Sequence, residues 1–76
     1  MTPRMRQLLQ MMKDGEELVW EGSDVWIGLK RTNVAMVYRL MRRMWISEDN
    51  MQSSDDYMLF HTNERGLAAL GVDNEN

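Results

Sequence analysis

The chain has 76 residues, 43% of them hydrophobic, a net charge of −3 and no cysteine, which favours one globular domain and excludes disulfides and thiolate metal sites. No apolar run approaches the roughly 20 residues of a membrane span, and no signal-peptide core follows Met1. We therefore expect a cytoplasmic protein with no membrane partner, made of one domain over residues 1–71 and a flexible acidic tail over residues 72–76.

The first predicted element is a helix that begins at Thr2, a suitable N-cap, with Pro3 in its first turn. Apolar residues recur at helical spacing, which predicts one buried stripe made of Met5, Leu8, Leu9 and Met12. Gly15 predicts the end of this helix. Residues 17–29 are rich in β-branched and aromatic residues and are interrupted by Gly22 in a polar turn, so they predict a β-hairpin. Residues 28–31 are expected to lead directly into the next helix.

The second predicted helix covers residues 33–44, with Thr32 or Asn33 as its cap. Its inward side is predicted to consist of Val34, Val37, Tyr38, Leu40, Met41 and Met44. Its opposite side is predicted to carry Ala35, Arg39, Arg42 and Arg43, with Met36 at the border. The helix is therefore expected to have one apolar and one basic face.

Two strands and a short helix complete the prediction. Residues 45–47 and 57–61 are expected to be strands joined by an acidic loop, and Thr62 is expected to cap a helix over residues 63–70 with Leu67 and Leu70 pointing inward. The sequence thus predicts an α+β domain with three helices, a β-hairpin after the first helix and a two-stranded wing after the second.

Charge is concentrated in the centre of the chain. From Val25 to Ser47 there are five basic residues and no acid, while the remainder holds four bases and twelve acids. The central block therefore carries +5 and the remainder −8. Because the local field decides whether a surface attracts phosphate, the central block is a candidate nucleic-acid surface despite the negative total.

Residues 33–46, with Val37-Tyr38-Arg39-Leu40 at their centre, resemble the recognition helix and first wing strand of winged-helix DNA-binding domains. Residues 57–70, with Thr62-Asn63-Glu64-Arg65-Gly66, resemble the second wing strand and the helix after it. The resemblance implies binding to double-stranded DNA, often in transcriptional control. The chain departs from the family pattern in two places: a predicted hairpin replaces the helix before the recognition helix, and His61 stands where an apolar residue is common.

The residues predicted to contact DNA are Lys30, Arg31, Thr32, Asn33, Met36, Arg39, Arg42 and Arg43. The three arginines of the helix would contact phosphates or guanine edges, and its N-terminal residues would lie nearest the bases. Acids in the wing loop (Glu48, Asp49, Asp55, Asp56) would repel phosphate, so weak wing contacts are expected. Tight binding would then require a homodimer or a larger complex. Alternatively, the arginines form only a solvated helix face.

A second hypothesis is a protein-interaction module, such as a phage-type inhibitor or adaptor that binds a host protein through a winged-helix scaffold. Its basis is the presence of three Trp and nine Met in so short a chain, although Trp20, Trp26 and Trp45 are themselves expected to pack in the core or half-buried on the sheet. No enzyme activity, cofactor or metal site is predicted. His61 is the only histidine and has no recognisable nucleophile, and residues 48–56 lack the glycine and glutamate of a calcium loop.

Overall fold

The computed structural model describes residues 1–71, and the predicted tail over residues 72–76 lies outside the described residues. The elements are α1 (Pro3–Lys13), β1 (Leu18–Glu21), β2 (Asp24–Ile27), β3 (Lys30–Thr32), α2 (Val34–Arg42), β4 (Ile46–Glu48), β5 (Met58–Thr62) and α3 (Glu64–Ala69). The predicted α+β class and the three helices are confirmed. Within residues 1–71, no helix has the length and apolarity needed to cross a bilayer.

All five strands form one antiparallel sheet in the order β3-β2-β1-β5-β4. The predicted hairpin (β1–β2) and the predicted strand pair after α2 (β4–β5) are both present, but they are joined in one sheet with a fifth strand, β3, that the sequence does not predict. β5 pairs with β1, so that Leu18 lies opposite Phe60, and both side chains are buried. A wing strand flanked by solvent could not bury Phe60, and pairing with β1 provides the apolar neighbour that it requires.

Residues 28–31, predicted to be a connection, form a second tight turn and the start of β3. Gly28 has a φ of +59°, which suits a two-residue turn, and Ile27 pairs with Lys30 across it. The sequence of β3 is Lys30-Arg31-Thr32. It has no apolar residue, and its extended conformation comes from pairing with β2 rather than from a hydrophobic pattern.

The hydrophobic core lies between one face of the sheet and the helices. α1 begins at its predicted cap, since Thr2 Oγ1 accepts a hydrogen bond from the Met5 amide at 3.2 Å. All four predicted residues of α1 are buried in the core: Met5, Leu8, Leu9 and Met12. They pack with residues from β1, β2, β5 and α2, which include Leu18, Ile27, Phe60, Met36, Val37 and Leu40. Leu59 is buried as well but lies outside this cluster, because alternate strand residues point to opposite faces.

α2 is shorter than predicted and buries a different arc. It covers Val34–Arg42, with Asn33 as its N-cap, and Met44 has a φ of +59° just beyond its end. The buried arc contains Met36, Val37 and Leu40. Tyr38, Met41 and Met44, which were predicted to point inward, are 53%, 39% and 57% exposed. Apolar residues lie on more than one face of α2. Packing against the sheet buries the face that carries Met36, Val37 and Leu40.

The last two elements follow the prediction with shifted ends. β4 begins at Ile46 and not at Trp45. Thr62 belongs to β5 and its hydroxyl donates to the Trp45 carbonyl at 3.2 Å, so Asn63 caps α3 by accepting from the Gly66 amide at 2.9 Å. Leu67 and Leu70, predicted as inward anchors, are half-buried. Gly66 is the buried residue of α3, which allows this short helix to approach the Trp45 backbone closely.

Candidate nucleic-acid interface

Three arginines lie on the solvent side of α2. Arg39, Arg42 and Arg43 are all exposed, as the sequence predicts. None of them forms an ion pair with an acid among residues 1–71, where the ion pairs are Arg31–Asp24 and His61–Asp49. Their positive charges are therefore available to an external anion.

The three arginines border a shared cleft and not a flat surface. A depression of about 380 Å³ is lined by Arg39, Arg42 and Arg43 from the end of α2 and by Thr2 and Met5 from the start of α1. The start of α1 contains no acid. The guanidinium of Arg43 also lies over the Trp45 ring, 5.7 Å from its centroid, and this cation–π contact restricts its orientation.

A second basic cleft lies on the other side of α1, along β3. Its volume is about 140 Å³, and its lining includes Arg4 from α1 together with Lys30, Arg31 and Thr32. Arg31 is less available than predicted, because it forms an ion pair with Asp24 and lies over the Trp26 ring at 5.4 Å from the centroid. The strand register places Trp26 directly opposite Arg31 and so creates both contacts.

Of the three residues predicted to lie nearest the bases, Asn33 and Met36 have structural roles within the fold. Asn33 is exposed, but its Oδ1 accepts the Met36 amide at 2.8 Å and thereby caps α2. Met36 is 6% exposed and packs in the core. Thr32 is half-buried, and its Oγ1 makes no hydrogen bond within residues 1–71. The available basic groups of α2 thus lie toward its C-terminal end, and the predicted direct contact of Met36 with a base is incompatible with its burial.

Sequence reasoning missed the contribution of α1. Arg4 and Arg6 are exposed on this helix, and neither α1 nor α2 contains an acidic residue. Arg6 donates a hydrogen bond to the Leu70 carbonyl at 3.2 Å, which connects α1 to the end of α3. The absence of acids from residues 3–13 is visible in the sequence, but only the packing of the two helices on one face of the sheet combines their charges.

Six of the ten acids among residues 1–71 lie in turns and loops, three of them in the β4–β5 loop. Asp55 and Asp56 line a cleft of about 280 Å³ with Trp20, at the end of the sheet where β1 turns into β2. Most of the bases lie on α1 and on α2 with its C-cap Arg43, and most acids of residues 1–71 lie in turns and loops, so the two are largely separated in the fold and not only along the chain.

His61 is exposed, and its Nε2 lies 2.8 Å from Asp49 Oδ2. The hydrogen bond from His61 lowers the pKa of the Asp49 carboxyl, and hydrogen bonds from the Gln52 and Met51 amides lower it further. This pair connects the β4–β5 loop to β5. Among residues 1–71, no three His, Asp or Glu side chains come together in a metal-binding arrangement.

Comparisons with protein families, with curated proteins and with solved structures find no match to this chain. The chemistry of the surface that α1 and α2 form is therefore the guide to its function.

Proposed function

We propose that this chain binds DNA through phosphate contacts made by the arginines of α2. The observation that carries the proposal is the set of three exposed guanidinium groups that border one cleft and have no acidic partner among residues 1–71. Arginine forks match the geometry of phosphate oxygens, and such contacts supply most of the sequence-independent affinity for nucleic acid.

The geometry supports a protein that reads the DNA backbone better than one that reads base sequence. The two residues best suited to base contacts, Asn33 and Met36, respectively cap α2 and pack in the core. The element order α2, β4, loop, β5 is that of a recognition helix followed by a wing, and it supports a winged-helix-like small regulator. The wing would contribute little, since Asp55 and Asp56 disfavour phosphate there.

The proposal is tested with a matched pair of charge-removing variants. Arg42→Gln and Lys13→Gln each remove one positive charge from an exposed side chain in the last turn of a helix, so their effects on total charge and helix dipole are alike. Binding of mixed-sequence duplex is measured by fluorescence anisotropy over a range of salt concentrations. We expect Arg42→Gln to weaken binding and to reduce the slope of log K against log salt by about 0.9, the value of one lost phosphate contact.

Lys13→Gln should leave both the affinity and the slope close to wild type, because Lys13 lies at the end of α1 far from the arginine cleft. Equal weakening by the two substitutions would show that only total charge matters and would contradict the proposed site. Absence of salt-dependent binding of the wild type to both duplex and single-stranded DNA would reject the proposed function itself.

One observation favours a second candidate, the protein-interaction module. Met41, Met44 and Ile46 line a depression of about 520 Å³ beside α3, together with Asn63 and Arg65. Methionine-rich surfaces adapt to varied apolar partners. If Arg42→Gln and the wild type both fail to bind DNA, this depression becomes the stronger candidate site.

A further inference from the structure

Tyr38 is the exposed aromatic residue of α2. More than half of its surface, 53%, is accessible to solvent, although the sequence predicts that it points into the core. Its hydroxyl makes no hydrogen bond to any of residues 1–71. About half of the residue's surface is therefore accessible, and its hydroxyl has no partner within residues 1–71, so the side chain can contact a ligand.

The ring of Tyr38 is supported at a fixed angle. Trp20 contacts it in a T-shaped arrangement, with 5.4 Å between ring centroids and 89° between ring planes. The indole of Trp20 is held in turn by a hydrogen bond of 2.9 Å from Nε1 to the Gly22 carbonyl. An edge-to-face contact leaves at least one face of the Tyr38 ring uncovered by Trp20, and this support reduces the rotamer entropy that a stacked ligand would cost.

Tyr38 also lies at the end of the arginine row. Tyr38 and Arg42 are four positions apart on α2, Arg42 and Arg39 are three apart, and Arg39 and Arg43 are four apart. Residues at these spacings are neighbours on a helix surface, with about 5–6 Å between Cβ atoms. Beyond Trp20, on its other side, the surface becomes acidic at Asp55 and Asp56. Tyr38 therefore marks the boundary where a bound polyanion would leave the basic surface.

We propose, building on the function proposed above, that Tyr38 is a stacking platform for an unpaired base and that the DNA bound at this face is single-stranded. An exposed aromatic ring next to basic groups is the combination that single-strand binding proteins use, with phosphates on the cations and a base on the ring. In a duplex both faces of each base are covered by its neighbours, so Tyr38 would contact only sugar or phosphate. If the helix face were only solvated, the exposed ring of Tyr38 would contribute no binding energy. An unpaired base stacked on the ring would cover it.

The test compares an oligothymidylate with an abasic strand of the same length, which retains the phosphates and lacks the bases. Anisotropy titrations use the wild type, Tyr38→Leu, which removes the ring, and Tyr38→Phe, which retains it; circular dichroism checks that each variant is folded. We expect Tyr38→Leu to weaken oligothymidylate binding by about 5-fold to 100-fold, the range for loss of one base–aromatic stack. Tyr38→Phe should bind like the wild type, and all three proteins should bind the abasic strand equally.

Each other outcome overturns a definite part of the argument. If the wild type binds both strands equally and Arg42→Gln still weakens binding, Tyr38 is no stacking platform, while the proposed phosphate contacts remain. If Tyr38→Leu weakens binding to the abasic strand as much as to the oligothymidylate, its role is structural and the inference fails. If the wild type binds neither strand nor duplex, the proposed function itself fails.

Discussion

Replacement of Gly66 by alanine tests the close approach of α3 to the Trp45 backbone and the Thr62 side chain. A Cβ atom at this position would overlap the Trp45 carbonyl oxygen and the Thr62 hydroxyl. These two atoms are joined by the hydrogen bond that connects the end of β5 to the residue before β4. One of the overlapping groups is backbone, so the strain cannot be relieved by a change of side-chain rotamer alone.

Two opposing effects set the expected magnitude. Alanine in place of glycine inside a helix stabilises it by about 1 kcal/mol. Overpacking of a tight contact costs about 1–3 kcal/mol, and a displaced hydrogen bond costs about 0.5–1.5 kcal/mol. The unfavourable effects exceed the gain in helix propensity, and we expect Gly66→Ala to lower the free energy of unfolding by about 1–3 kcal/mol. For a domain of this size that corresponds to a fall in Tm of about 5–20 °C.

Thermal unfolding followed by circular dichroism measures this effect, with Ala68→Gly as the control. Ala68 is exposed in the same helix, so its replacement should cost only the propensity difference of about 1 kcal/mol. If propensity alone governed α3, the two substitutions would shift Tm in opposite directions. The structure predicts that both lower it, and a higher Tm for Gly66→Ala would refute the close approach of α3 to Trp45.

Two further predictions concern the acids of the β4–β5 loop. The pKa of Asp49 is lower in the folded chain than its ordinary value of 3.8, so its contribution to stability is present above about pH 4 and is lost as the pH falls through the folded pKa. The variant Asp49→Asn should lack this part of the acid-dependent fall in Tm. Identical profiles of Tm against pH for the variant and the wild type would contradict the contact with His61. The double change Asp55→Asn and Asp56→Asn removes two negative charges beside Trp20. It should strengthen DNA binding at low salt, and this gain in affinity should shrink as salt is added. Unchanged affinity at low salt would show that the bound strand does not pass this end of the sheet.

Local signals explain which elements could be predicted from the sequence. α1 was predicted to within one residue at each end, because its cap, its proline, its apolar spacing and its terminal glycine all lie within residues 2–15. β3 could not be predicted, since Lys30-Arg31-Thr32 carries no apolar pattern and its strand conformation depends on pairing with Trp26 and its neighbours. The joining of the wing to the sheet depends likewise on the pairing of Leu18 with Phe60, which are distant in sequence.

The candidate site was predictable in its charges but not in its contacts. The exposure of Arg39, Arg42 and Arg43 follows from their clustering on one side of a helix. The reduced availability of Arg31 follows from its ion pair with Asp24, which forms because β3 lies beside β2. The exposure of Tyr38 depends on which arc of α2 meets the sheet, and a helix with apolar residues around most of its circumference leaves that choice to tertiary packing.

A chain with a net charge of −3 can still attract a polyanion if its charges of opposite sign are far enough apart. The molecule measures 41 by 25 by 22 Å along its principal axes, and among residues 1–71 most bases lie on the helices while most acids lie in turns and loops. At 0.1 M salt, charges are screened beyond about 10 Å, so a phosphate at the arginine cleft senses chiefly the nearby guanidinium groups. At 0.01 M salt the screening length is about 30 Å, which exceeds the two shorter dimensions, and the acids then act on the same phosphate. Moderate ionic strength is therefore the condition under which the arginines of α2 dominate the field at their own surface.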